Sequence, residues 1–202
     1  MPGSWSREDQ PDLAAQKILD GAARAFIDLG VSRAGMSEIA HYAGCSRGTL
    51  YRYFKNRHEL HLAFVNDRAM RLVAELHVEL QDIDDPVQRL SEYLMRTVQK
   101  VRRNPAIAAW FEPAESGIAA RMSRGSEVIG CLAHTFVSNL QAERSDAPSS
   151  DLRARWMVRV IVSLLTMPGD NEAEERALIE RFVVPAVLSN GDRGLAPLEN
   201  GA

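Results

Sequence analysis

Apolar residues return at steps of three and four along almost the whole chain, and no long run alternates apolar with polar positions, so the pattern predicts an all-α fold. In the first expected helix, 12–29, Ala14, Ile18, Ala22, Ala25, Phe26 and Leu29 form one stripe that stops before Gly30. A short helix is expected over 36–43, ending at Gly44. The next starts after Ser46, a residue type suited to capping free N–H groups, and reaches Tyr53. Asn56 then opens a long helix through Leu62, Val65, Ala69, Leu72, Leu76 and Leu80, with Glu59 placed to close a capping box.

Asp84-Asp85-Pro86 breaks that helix and starts another, in which Val87, Leu90, Leu94, Val98 and Val101 share a face and Arg102 and Arg103 suit the negative C-terminal end. Asn104-Pro105 ends it. Two more helices are expected at 105–115 and 118–141, then a polar linker from Glu143 to Ser150. Helices at 151–167 and 172–188 follow, parted by Met167-Pro168-Gly169-Asp170. Residues 1–11 and 191–202 lack periodicity and are expected to be disordered.

With 46% hydrophobic and 25% charged positions in 202 residues, the composition is that of a folded protein rather than a disordered or collagen-like one. The longest apolar stretch, Val160 to Met167, is far short of the ~20 residues that cross a bilayer. The N-terminus lacks the apolar segment of an export signal, which makes the cytoplasm the expected location, with no membrane partner. Cys45 and Cys131 form no metal or redox spacing. His58 and His61 stand three apart, but His41, His77 and His134 supply no coherent third ligand, so surface histidines are expected, with no metal and no cofactor. No Ser-His-Asp order, phosphate loop or paired-carboxylate site stands out, and no enzyme activity is expected.

The net charge of −3 conceals a division. Residues 31–60 hold Arg33, Arg47, Arg52, Lys55 and Arg57 against Glu38 and Glu59, a net +3, whereas residues 61–202 carry a net −4. A basic head on an acidic body fits a protein that touches phosphates with one end. Within that head, the run from Ile39 to Phe54 reads as two short helices joined by a glycine turn, a helix-turn-helix. Ala40 and Ala43 let its helices approach, and Ile39, Leu50 and Phe54 point into a core shared with the first helix. At 100° per residue, Gly48, Thr49, Arg52 and Tyr53 lie on the other side, where a major groove is wide enough to take the helix. Gly48 permits close approach, Thr49 and Arg52 suit base edges or phosphate, and Tyr51 and Tyr53 suit phosphate or sugar. Lys55 and Arg57 flank a helix start that already favours an anion.

The run Ala43-Gly44-Cys45-Ser46-Arg47-Gly48-Thr49-Leu50-Tyr51-Arg52-Tyr53-Phe54-Lys55-Asn56-Arg57 resembles the DNA-binding domain of the TetR/AcrR family of bacterial transcriptional regulators, in its glycine turn, recognition helix and basic residue opening the next helix. The resemblance rests on the first quarter of the chain in motif, and elsewhere on helix count and length. It implies a helix-turn-helix DNA-binding domain over 12–57 and a C-terminal helical effector-binding and dimerisation domain over 58–190. The implied protein is a homodimer on a near-palindromic operator, most simply a repressor released by an effector. Two readings compete: a DNA-binding protein of the same fold without a small-molecule switch, and a helical ligand-binding protein or enzyme whose helix-turn-helix is only structural. Ala34-Gly35 stand where the family usually opens its second helix with threonine, leaving Ser37 as the substitute. Cys45 replaces the usual valine as a small buried residue, and Arg57 the commoner lysine. The DNA-contacting candidates are thus Ser37, Ser46, Arg47, Gly48, Thr49, Tyr51, Arg52, Tyr53, Lys55 and Arg57.

Downstream, Met95, Trp110, Phe111, Met122 and Trp156 sit at helical spacing, which taken singly suits core packing. Together with Glu112, His134 and Arg159 they are the candidates for a mostly apolar effector pocket. Trp156, Val160, Leu164, Phe182, Val183 and Val187 on the last two helices offer apolar area for a four-helix interface between two copies, or else close the core of one chain.

Overall fold

Among the described residues, 9–140 and 150–188 of the computed structural model, every regular element is a helix. α1 (Asp9–Leu29), α2 (Met36–Ala43) and α3 (Arg47–Tyr53) form the head, and α4 (Arg57–Leu80) leaves it for the body. The body comprises α5 (Pro86–Arg103), α6 (Pro105–Ala108), α7 (Ser116–Gly125), α8 (Glu127–Leu140), α9 (Ser150–Thr166) and α10 (Glu172–Leu178). α10 continues through a π turn, Ile179–Val183, into α11 (Val184–Leu188). The π turn, where the Val184 N–H reaches back to Ile179 O, lies just before Pro185, which has no N–H and crowds the carbonyl four residues back.

Capping explains most boundaries. Ser46 Oγ accepts the Thr49 N–H at 3.0 Å, Asn56 Oδ1 accepts the Glu59 N–H, and Asp85 and Asn171 cap α5 and α10 in the same way. Glu59 reaches back as expected, but to the Lys55 N–H at 3.0 Å. Gly44, at φ 67°, takes the left-handed turn between α2 and α3 that a side chain would strain.

Several expectations need correcting. α1 starts at Asp9, three residues before the expected 12. The helix expected over 118–141 is two, broken at Ser126, whose hydroxyl donates to Asn66 Oδ1 at 2.7 Å and accepts the Ile129 N–H at 2.9 Å. The helix expected over 105–115 stops at Ala108, and Ser150 begins α9 rather than ending a linker. Val87 is half exposed, off the buried stripe of α5. The expected disorder of residues 1–8 and 191–202, and most of the linker, lie outside the described residues.

The apolar interior divides into two clusters. One joins Ile18, Ala22, Phe26, Ile39, Leu50 and Phe54 of the head to Leu60 and Phe64 of α4, and then to Ala106, Trp110, Ala119 and Met122. The other, centred on Leu90, Leu94, Met95 and Val98 of α5, takes in Leu76 and Leu80 with α8, α9 and the last helices. α4 therefore belongs to both cores, and the head core extends well beyond residue 57. Arg102 is more than a helix-end charge: it grips the buried Glu175 through both carboxylate oxygens, at 2.8 and 2.6 Å, and donates to Leu164 O, tying α5 to the α9–α10 junction.

Ala43 is small for a different reason from the one expected, since it meets α1. A Cβ at Gly21 would stand 2.6 Å from the Ala43 N and Cα, which no backbone tolerates. Gly21→Ala is therefore expected to lower the unfolding free energy by about 1–3 kcal/mol through forced separation of α1 and α2. A urea titration of the variant beside the parent checks this, and an unchanged midpoint would refute it.

Candidate nucleic-acid interface and effector cavity

α3 is held from inside by Leu50, which is fully buried, and Phe54 at its C-cap, so its other face is turned to solvent. Ser46, Arg47, Gly48, Tyr51 and Arg52 are exposed there, with Thr49 and Tyr53 half-buried. Ser46 Oγ lies 3.0 Å from Thr49 Oγ1, and the Arg52 guanidinium stands over the Tyr53 ring at 5.3 Å, so cap and cation are both ordered by neighbours on the same helix. Lys55 is exposed at the end of α3. Ser37 is exposed in the first turn of α2 but caps nothing there: the N-cap is Gly35, without a side-chain bond. Cys45 is half-buried rather than buried.

Arg57 departs from its expected position on the duplex. Its guanidinium turns inward, donating to Val31 O, to Ser32 O at 2.7 Å and to His61 Nε2 at 3.3 Å. His61, expected at the surface, is 5% exposed and packed by ring edges against Phe26 and Trp110. Burial, with Arg57 and His58 nearby, lowers its pKa from 6.5 to about 4, so it is neutral at physiological pH. From the other side, Glu115 Oε1 accepts from the Ser32 N–H at 2.9 Å and from the Ser32 hydroxyl at 2.6 Å. The α1–α2 loop is thus clamped between α4 and the turn before α7.

A cavity of about 140 Å³ opens in the body between α4, α5, α7, α8 and α9. Its wall is mainly Val, Leu, Ile, Ala and aromatic side chains, including Phe64, Val65, Leu72, Tyr93 and Met157. Burial raises the Tyr93 phenol to about 12, which keeps it protonated. Of the expected effector residues, Trp110 and Phe111 line this cavity. Met95 and Met122 are packed in the two cores, and Glu112 and Arg159 are exposed. His134 pairs with Ser150 Oγ at 3.1 Å and Asp151 at 3.5 Å, and Trp156 is half exposed; neither lines the cavity. Sequence reasoning missed the polar wall positions Arg68, Thr97 and Ser123. Arg68 carried a signal, a cation at helical spacing from Phe64, Val65 and Leu72 on an otherwise apolar stripe.

On the last helices, Leu164, Val183 and Val187 are buried in the body's own core, whereas Trp156 and Phe182 are exposed and Val160 is half-buried. Leu152 and Trp156 lie one turn apart on α9 with the exposed Met167 just beyond its end, and Leu178 and Phe182 lie one turn apart. Among the described residues, no group of three His, Cys, Asp or Glu side chains is placed to hold a metal, and no helix is long and apolar enough to cross a membrane.

Because His61 accepts a proton near pH 4 when folded but near 6.5 when unfolded, the unfolded state binds more protons between those values. Stability is expected to fall as pH drops from 6.5 to 4, by about 2–3 kcal/mol from this group. An NMR titration placing the His61 midpoint above 6 would refute it.

The profile described as bacterial regulatory proteins, tetR family, matches residues 18–64. The HTH-type transcriptional regulator Rv1255c of Mycobacterium tuberculosis is 44% identical over 183 residues, covering 91% of this chain and 90% of that one. The HTH-type transcriptional regulator AcrR of Shigella flexneri is 27% identical over 185 residues, 87% of this chain and 76% of its own. Among solved structures, the TetR family repressor AlkX of Dietzia sp. strain DQ12-45-1b, implicated in biodegradation of n-alkanes, superposes with a TM-score of 0.65 at 20% identity, covering 92% of this chain and 97% of that one.

Proposed function

The chain belongs to the TetR family of bacterial transcriptional regulators, DNA-binding helix-turn-helix proteins that are not enzymes, and we propose that it is a homodimeric repressor released from a near-palindromic operator by a small, mostly apolar effector. The observation that carries this reading is the outer face of α3. Ser46, Arg47, Gly48, Tyr51 and Arg52 stand clear of the protein's own mass while Leu50 and Phe54 anchor the helix from behind. Thr49 and Arg52 are the base-reading groups in this reading, and Ser37, Arg47, Tyr51, Tyr53 and Lys55 position the backbone. With Arg57 engaged inward, it orients the head rather than the duplex.

The head-plus-body division supports the domain assignment, with DNA contact in the first unit and effector binding and dimerisation in the second. The exposed stripes of α9 and α10 with its π turn, carrying Trp156 and Phe182 beside Val160, suit a second copy. The apolar cavity favours the effector-released reading over one without a switch, and AlkX, described as a repressor, supports the sign of the response. Two recognition helices on one duplex must lie about 34–36 Å apart or a multiple of it, so an effector that alters this spacing releases DNA. To shift occupancy usefully it must favour the unbound form by about 1–3 kcal/mol.

Selection of bound duplexes from a random pool is expected to return a palindrome with that half-site spacing; failure to enrich any sequence would sink the reading. Arg52→Ala is expected to weaken binding to the selected duplex by about 1–3 kcal/mol. Three outward cations on and just after α3, Arg47, Arg52 and Lys55, predict a slope of log affinity against log salt of about −5 for the dimer, and affinity indifferent to salt would contradict it. For the assembly, Trp156→Glu with Phe182→Glu is expected to yield monomers by sedimentation, and an unchanged dimer would place the interface elsewhere.

A further inference from the structure

Resting on the effector reading above, we propose that the cavity takes an apolar molecule ending in a carboxylate, which is held by Arg68 and Trp110 and takes Arg68 from Asp20 of α1. Two N–H donors on the cavity wall, Arg68 Nε and Trp110 Nε1, are buried without a hydrogen-bond partner among the described residues. Phe64 organises both: its ring stacks on Trp110 with centroids 5.7 Å apart and planes 9° from parallel, and the Arg68 guanidinium stands 5.2 Å from its centre. The hydroxyl of Thr97, also on the wall, donates to Tyr93 O at 2.6 Å. The N–H groups left without an acceptor beside Phe64 are thus both on this wall.

A carboxylate is acceptor-only and brings two oxygens with a charge opposite to that of Arg68, whereas a cation is repelled and an alcohol brings a hydrogen of its own. The charges around Arg68 make the exchange feasible. Arg68 Nη2 donates to Asp20 at 3.0 Å, and Nε, without a hydrogen bond, stands 3.6 Å from Asp67 Oδ2, but Asp67 is already held through both oxygens by Arg71 Nε at 3.1 Å. Asp20 is half exposed and accepts the Gln16 amide at 3.1 Å, so on losing Arg68 it keeps a partner and water. The ligand carboxylate, by contrast, has Arg68 as the only cation on the cavity wall among the described residues. Because Asp20 lies on α1, against which the helix-turn-helix packs, ligand and head compete for one guanidinium, and binding loosens the tie between α1 and α4.

Calorimetric titration of the full chain with octanoic acid and octanol, and with phenylbutyric acid and phenylbutanol, tests this. In the parent, each acid is expected to bind about tenfold more tightly than its alcohol. Arg68→Gln is expected to abolish that preference, with an unchanged far-ultraviolet circular dichroism spectrum showing that the variant is folded. Asp20→Asn is expected to strengthen acid binding severalfold with no effect on the alcohols, a result that a merely structural ion pair would not produce. Equal binding of acid and alcohol, or a preference that survives Arg68→Gln, would overturn the anionic class while leaving the cavity as an effector site. Acid binding unmoved by Asp20→Asn would overturn the competition. If neither acids nor alcohols bind, the effector reading falls with it.

Discussion

Four rings at the junction of head and body hold the structure together: Phe26 of α1, His61 and Phe64 of α4, and Trp110 just beyond α6. Phe26 presents itself nearly perpendicular to the other three, with centroids 5.1–5.4 Å away, and Phe64 stacks on Trp110. Edge-to-face packing has a preferred geometry, so these contacts fix orientation as well as distance. All four rings are at most 5% exposed, and a shift in one must be met by the rest because the surroundings are close-packed. Phe64 and Trp110 are also cavity wall. Part of the cavity wall and part of the packing behind the helix-turn-helix are therefore the same side chains.

That arrangement ties the packing of the body to the packing of the head through α4. α4 is a continuous helix of 24 residues, about 36 Å long, with its first half in the head core and its last turns in the body core. The α1–α2 loop is fastened to it by Arg57 and to the turn before α7 by Glu115. Glu115 is nearly buried, with Oε2 lacking a partner among the described residues, so the clamp holds a desolvated carboxylate whose second oxygen is unpaired. Such a contact is costly to keep half-satisfied and correspondingly sensitive to small displacements of the turn between Trp110 and Glu115. Two of the segments that border the cavity, α4 and the stretch leading into α7, are thus also ones that grip the head.

The head was legible in the sequence because its information is local. Ser46 and Asn56 cap where short-range rules put them, Gly44 turns where only glycine turns cheaply, and Leu50 and Phe54 share the buried face that helical periodicity assigns. The body was legible in helix number and class but not in detail. Ser126 breaks a helix through bonds to Asn66, sixty residues away, and nothing in the run around it predicts that partner. The effector candidates divided for a related reason: aromatic and methionine residues at helical spacing fit core and cavity equally, so Trp110 and Phe111 line the cavity while Met95 and Met122 went to the cores. Periodicity told which face of α9 or α10 is apolar, but not that Leu164, Val183 and Val187 would be consumed within one chain while Trp156 and Phe182 were left outside.

Arg57 shows how one departure from a family pattern follows from the packing around it. A lysine at the opening of α4 offers a compact charge on a flexible stem and suits a phosphate near the helix start. An arginine offers a planar fork of five donors, and here they reach Val31 O, Ser32 O and His61 Nε2 at once. The same charge, held beside the imidazole, helps keep His61 neutral and so compatible with the ring cluster it joins. The basic position that the motif assigns to DNA is here part of the joint, so the seating of the α1–α2 loop against α4 depends on this guanidinium.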